Sequence, residues 1–358
     1  MIITRTPFRI SFFGGGTDYP AWYRRHGGAV LAVTIDKYCY LTCRYLPPFF
    51  EHRVRVVWSK IERCPSRDDI EHPAAREVLR HLNFDRGVEI HHDGDLPARS
   101  GMGSSSSFTV GLLHALYALQ GHMPSKRQLA LESMHIEQEH LKETVGSQDQ
   151  VLAAYGGFNH VTFAPDGEIA VKPMTLSAEL INALNEHLML FYTGVTRTAS
   201  EVAESYLQNI EDNERQMRAL GEMVEEGLSI LTDGGDLTRF GRLLHRAWEA
   251  KRSLSPMVSN PDVDELYSHA QAAGALGGKL TGAGGGGFML LFVEPHNRRR
   301  VREQLSGLLH VPFRFTSPGS QVIFFEPEED YSAEERDRAT RVLRPFRELV
   351  SGRPREDE

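Results

Sequence analysis

The sequence predicts an α+β protein of two domains, and three observations carry that expectation. The 358 residues exceed what one compact core usually holds. Strand-like and helix-like patterns alternate along both halves. A polar stretch over 166–177, with two turns and Pro173, separates the halves. The expected division is 1–172, 173–328 and a densely charged tail over 329–358.

Taken in order, residues 2–11 alternate as a strand and break at Gly14-Gly15-Gly16. Residues 30–44, rich in β-branched and aromatic side chains, read as one or two strands, and 53–58 as another. A helix is expected over 74–82 and a strand over 87–92. The small-residue loop 96–107 then leads into an apolar helix that begins near Phe108. The next helix opens at Ser125, with Gln128 completing a capping box, and runs to about Glu143. In the second half a strand over 187–193 precedes a long amphipathic helical stretch over 199–232, then helices over 237–251 and 262–273. Strands over 278–281 and 288–293 flank a glycine loop. A helix over 298–309 and strands over 313–316 and 322–326 complete the domain.

Composition narrows the function classes. A net charge of −8 excludes a global basic field for nucleic acid, so a protein of this kind that handles phosphates must concentrate positive charge in its site. No apolar run approaches the roughly 18 residues of a membrane span, and the first twenty residues lack a signal-peptide pattern. Cys39, Cys43 and Cys64 read as small hydrophobes, not as a disulfide framework. The expectation is a reducing, cytoplasmic setting with neither nucleic acid nor membrane as partner.

Chemistry concentrates in three places. Gly101-Met102-Gly103-Ser104-Ser105-Ser106 lies directly before a helix, where glycine admits a phosphate to backbone N–H groups and the helix dipole favours it. No Gly-Lys-Ser/Thr follows, so this is not a Walker loop, and on the loop alone an ordinary serine-rich turn competes evenly with nucleotide binding. On the helix from Ser125, Leu129, Ala130, Met134, Ile136 and Leu141 form one face at about 100° per residue. Glu132, Glu139 and Glu143 fall opposite as solvated charges, whereas Glu137 falls inside the apolar arc. A carboxylate there needs a buried partner or a metal. Asp149, in Gly146-Ser147-Gln148-Asp149-Gln150, reads first as a turn cap.

Pro97 with Gly101 to Ser105 resembles the ATP-binding motif of the GHMP kinases, with Met102 where leucine is usual. Residues 6–19, Thr-Pro-Phe-Arg-Ile-Ser-Phe-Phe-Gly-Gly-Gly-Thr-Asp-Tyr, resemble the N-terminal substrate motif of that family, and 279–287 resemble its C-terminal glycine motif. Three motifs in order span most of the chain. The resemblance implies an N-terminal ribosomal-protein-S5-like α/β domain with a left-handed β-α-β crossover and a C-terminal ferredoxin-like α+β domain, with ATP between them. It implies Mg²⁺ on Glu137 and Ser105, Asp149 as catalytic base, and Arg9 as its partner. The ATP contacts extend over Pro97, Gly101, Met102, Gly103, Ser104, Ser105 and Ser106, with Trp58 and Ser59 as candidates to border adenine.

Gly14, Gly15, Gly16, Thr17, Asp18, Gly284 and Gly285 fall on the substrate motifs. Asp18 matches an aspartate that binds sugar hydroxyls. Gly15 and Gly16 replace a Glu-His pair of galactokinases, which suits a phosphate at that end of the sugar. This Phe-Gly-Gly-Gly-Thr-Asp version is similar to the D-glycero-D-manno-heptose 7-phosphate kinases, and Arg197 is the first candidate to grip the 7-phosphate. The competing readings are a kinase for an unphosphorylated sugar such as fucose or galactose, and a non-catalytic nucleotide- or sugar-binding regulator.

Overall fold

The computed structural model describes residues 1–337 apart from 51, 196–198, 209, 235, 328–330, 332 and 335. Its first sheet is built from β1 (Ile2–Phe13), β2 (Gly28–Tyr45), β3 (Val54–Val57), β4 (Ile61–Cys64), β5 (Val88–Gly94), β6 (Phe158–Phe163) and β7 (Ile169–Pro173). The second holds β8 (Leu188–Tyr192), β9 (Ala275–Leu280), β10 (Phe288–Val293) and β11 (Leu309–Val311). A last strand, β12 (Gln321–Phe325), returns to the first sheet and pairs antiparallel with β1, Ile2 opposite Phe325.

That return corrects the expected division. Residues 321–325, expected in the second domain, complete the first sheet along the path β12-β1-β2-β5-β3-β4. Side chains reinforce the pairing, with Arg5 donating to Gln321 at 2.9 Å and Thr6 sharing a 2.9 Å hydrogen bond with Ser320. β7 likewise occupies part of the stretch read as a polar boundary. Its alternation is short and only half-buried, too weak to stand out. The second sheet runs β11-β8-β10-β9, and β9 follows β8 across helices while β11 follows β10 across one. That is the ferredoxin-like order.

The helices are α1 (Pro20–His26), α2 (Pro73–His81), α3 (Ser104–Leu119), α4 (Lys126–His135), α5 (Gln148–Tyr155) and α6 (Ala178–His187), then α7 (Ala199–Leu207), α8 (Glu214–Thr232), α9 (Leu237–Arg252), α10 (Pro261–Ala272) and α11 (Arg298–Gln304). The stretch expected as one helix over 199–232 breaks between α7 and α8, where the Asn213 side chain donates to the carbonyls of Tyr206 and Leu254. The helix expected to reach Glu143 ends as α at His135 and continues as a π-helical turn, Ile136–His140. The α11 helix is shorter than expected, and 313–316 forms only a bridge from Phe315 to Ile35. The 329–358 tail lies largely outside the described residues.

β1 explains how the site is positioned. Ile10, Phe12 and Phe13 are buried, and so are Thr4, Thr6, Arg9 and Ser11, because α3 packs on one face and α8 on the other. Close packing needs small residues: a Cβ at Gly111 would stand 2.8 Å from Thr6 Oγ1, and one at Gly227 would stand 2.6 Å from the Phe13 ring. At the end of β1, Gly14 has φ +80°, and a Cβ there would lie 1.9 Å from the Ala29 carbonyl oxygen. A Gly14→Ala substitution is therefore expected to destabilise the protein by at least ~2 kcal/mol, read as a lowered urea midpoint. An unchanged midpoint would mean that the turn relaxes freely.

Candidate active site

A cavity of about 260 Å³ opens where the end of β1, the 99–106 loop, the 143–149 segment, α9 and β9 converge. The loop before α3 is held by glycines in left-handed conformations, Gly101 and Gly103 both at φ +77°. A Cβ at Gly101 would fall 2.4 Å from the Thr281 carbonyl oxygen, so glycine lets this loop lie against the second domain. The N–H groups of the first turn of α3 have no carbonyl partner within the helix, which leaves them for an anion. Ser104 and Ser105 line the cavity; Pro97 is exposed and not part of the lining, and Met102 is buried as an apolar anchor.

Arg9 and Asp149 come together across the site. Arg9 Nε donates to Asp149 Oδ1 at 2.6 Å and Nη2 donates to Oδ2 at 2.7 Å, while Nη1 holds the Gly101 carbonyl at 2.7 Å. This bidentate pair fixes the carboxylate, and each oxygen retains a lone pair for another donor. Asp149 sits in the first turn of α5, where the helix dipole favours negative charge.

Glu137 is fully buried on the π-helical turn. Its Oε2 accepts from Ser106 Oγ at 2.9 Å and from Gln150 Nε2 at 2.5 Å, while its Oε1 has no partner. Burial pushes its pKa up to about 7, against the hydrogen bonds from Ser106 and Gln150. An acceptor-only carboxylate with an orphan oxygen and a hydroxyl alongside is a donor set suited to a hard divalent cation. The serine beside it is Ser106. Ser105, the expected metal partner, is the exposed neighbour one position earlier and lines the cavity. Two glutamates read as solvated also differ: Glu132 accepts from Tyr117 Oη at 2.9 and 2.8 Å, and Glu143 lines the cavity with its pKa raised by burial.

The substrate motif forms the far wall. Thr17 is buried and donates to the Gly14 carbonyl at 2.8 Å. Asp18 is buried and accepts from the N–H groups of Gly16 at 3.0 Å and Gln148 at 3.3 Å. The Gly16 N–H is therefore engaged by Asp18 and does not face the cavity as a free donor. Burial raises the Asp18 pKa, partly offset by those two backbone donors. Gly146 makes room for this carboxylate, since a Cβ there would lie 2.0 Å from Asp18 Oδ2.

Two buried lysines were not singled out in the sequence. Lys251 follows Phe240, Leu244 and Ala247 by eleven, seven and four residues, so it occupies the apolar face of α9, and that placement was the available signal. Its ammonium donates to the Gly282 carbonyl at 2.5 Å and stands over the glycine turn; a Cβ built on Gly15 would lie 4.0 Å from Nζ. Burial lowers the Lys251 pKa to about 8, with Asp18 opposing the shift. The same hypothetical Cβ lies 3.4 Å from Ser11 Oγ, a buried hydroxyl without a partner. Lys279 donates to the carbonyls of Ser11 and Phe12 at 3.0 and 3.2 Å, which ties β9 to the end of β1.

Other expected positions fall elsewhere. Gly282 and Ala283 line the cavity, whereas Gly284 and Gly285 pack on Val258, the Gly285 N–H donating to its carbonyl at 2.8 Å. Trp58 is outside the cavity lining; its Nε1 donates to Glu62 at 2.7 Å, and its ring meets His72, which stacks on Phe108 one turn into α3. Ser59 beside it is exposed. Arg197 lies outside the described residues.

Two family models match the chain: GHMP kinases N terminal domain over residues 70–157 and GHMP kinases C terminal over 214–310. A D-glycero-alpha-D-manno-heptose 7-phosphate kinase of Campylobacter jejuni is 27% identical over 89% of this chain and 97% of its own length. A galactokinase of Roseiflexus sp. is 25% identical over 86% and 88%. The crystal structure of a D-glycero-D-manno-heptose 1-phosphate kinase from Bacteroides thetaiotaomicron superposes with a TM-score of 0.74 at 23% identity, covering 91% of this chain and all of that one. This chain belongs to the GHMP kinase family and has its two-domain fold. It is a phosphotransferase of the sugar-kinase branch, and GHMP kinases in general use ATP and Mg²⁺. Among the described residues, no helix is long and apolar enough to cross a membrane.

Proposed function

We propose that this chain phosphorylates the anomeric C1 hydroxyl of D-glycero-D-manno-heptose 7-phosphate to give the 1,7-bisphosphate, in the cytoplasm. The observation that carries the sugar phosphate is the buried Lys251 ammonium over the glycine turn, beside the unpartnered Ser11 hydroxyl. Galactokinases carry a glutamate at that turn, where this chain has Gly15. The carboxylates that act on Lys251 are already engaged, Asp18 by two backbone N–H groups and Asp149 by Arg9. A cation that shows above the turn, with no counter-carboxylate on the glycines, suits a dianionic group better than a neutral hydroxyl.

Bound MgATP supplies the electrophilic phosphorus and neutralises charge on the transferring group. The glycine–serine loop and the first turn of α3 are suited to hold phosphate oxygens, and Ser106 with Glu137 to hold Mg²⁺. Trp58 and Ser59 are assigned to the adenine end, alongside the His72–Phe108 stack. Arg9 fixes Asp149, which orients the acceptor hydroxyl and takes its proton. Lys251 holds the substrate phosphate, with Arg197 a second candidate.

The test is an ADP-release assay over D-glycero-D-manno-heptose 7-phosphate, mannose 6-phosphate, fucose, galactose and mannose. The expected result is strong preference for the heptose phosphate, with product phosphorylated at C1. Turnover on a free hexose alone would keep the kinase and discard the sugar phosphate. Silence on every sugar, with ATP still bound, would favour a regulator.

A further inference from the structure

On the outer side of the π-helical turn, away from the catalytic cavity, three imidazoles converge. His81 ends α2, His135 ends α4 and His140 ends the π-helical turn, and one ring nitrogen from each lies within 4.8 Å of the others. The His135 and His140 Nε2 atoms are 3.1 Å apart. These two residues are five apart in sequence. An α-helix would set them about 140° apart around its axis, on different faces. The wider π-helical turn, with Leu141 N–H donating to the Ile136 carbonyl at 2.9 Å, brings five-apart positions together instead. One insertion in the helix thus presents Glu137 inward and pairs two histidines outward.

We propose that His81, His135 and His140 form a binding site for a borderline divalent transition metal, with Zn²⁺ as the probe. Three imidazole nitrogens make a ligand set that zinc favours and that Mg²⁺ does not, since Mg²⁺ prefers oxygen. Two carboxylates stand where a second layer of support is needed. Glu77 Oε2 lies 3.8 Å from His140 Nδ1, and Glu132 Oε2 lies 3.5 Å from His81 Nε2. At 3.8 Å, Glu77 does not hydrogen-bond His140 Nδ1, but its negative charge beside the far ring nitrogen favours a cation held on Nε2. The site is partly exposed, so an ion reaches it without passing the catalytic cavity. Binding would clamp both ends of the turn that carries Glu137, which makes the ion a stabiliser of that turn.

The experiment is equilibrium dialysis of the full chain with Zn²⁺ in excess Mg²⁺, so that oxygen sites are filled, paired with the visible absorption of the Co²⁺ form. The expected result is one equivalent of Zn²⁺ bound, a tetrahedral Co²⁺ spectrum, and a raised Tm with zinc. His135→Asn and His140→Asn should each weaken binding by more than about 100-fold. Because the histidines are at the surface, the metal-free Tm of each variant should match the parent, which separates lost ligation from lost folding. Zinc bound equally by parent and variants, or displaced by Mg²⁺, would overturn the assignment. So would the absence of any zinc binding by the parent.

Discussion

Replacing Asp149 with asparagine is expected to lower kcat by about 10²–10⁴-fold while the KM for sugar stays within about threefold. The argument rests on what the substitution keeps. Asparagine preserves shape at the first turn of α5 and can still accept from Arg9 through its one carbonyl oxygen, so the wall of the site should persist. It cannot take a proton. Dialysis with MgATP supplies the control, since the proposed nucleotide contacts lie in the 101–106 loop and do not include Asp149. A loss of under tenfold, with nucleotide affinity intact, would remove the proton-acceptor role and leave Asp149 as an anchor for Arg9. Loss of nucleotide binding as well would instead identify a structural role for the Arg9–Asp149 pair in holding the Gly101 carbonyl.

Most of the fold was legible because its strongest patterns are local. The six residues of β10 are all buried, and a continuous apolar run of that length reads as a core strand without tertiary information. The failures have one physical source, which is that pairing partners lie far off in the chain. β12 belongs to the first sheet only because β1 offers an edge more than three hundred residues earlier, and no local pattern records that. β7 and α6 are short and half-buried, so their periodicities are faint. In the site, Glu137 was readable because a charge interrupted an apolar face. The same rule applied to α9 would have pointed to Lys251. That Ser106 is the serine hydrogen-bonded to Glu137 was not readable, since a one-residue choice at a helix start depends on the phase with which α3 leaves the loop. The phase of the π-helical turn is likewise invisible to a count made at 3.6 residues per turn.

Lys251→Met carries the second large expected effect, and it separates the sugar-phosphate reading from its free-sugar rival. Methionine keeps much of the length and the apolar stem, so α9 should pack as before. Removing a buried cation without a carboxylate partner is tolerated better than breaking an ion pair. Losing a desolvated contact to a phosphate costs about 2–5 kcal/mol, so the KM for the heptose phosphate should rise by at least about 30-fold. Turnover of a free hexose, however slow, should not fall in step. The wild-type pH profile provides an independent readout. Burial holds the Lys251 pKa at about 8, below the ordinary lysine value, so the side chain is charged below that pH and neutral above it. Affinity for a dianion then declines as pH rises through about 8, which gives kcat/KM an alkaline limb there. The limb should vanish in Lys251→Met, where no proton remains to be lost. A variant with unchanged KM and an unchanged alkaline limb would take the phosphate away from Lys251, and Arg197 would be the next residue to be tested.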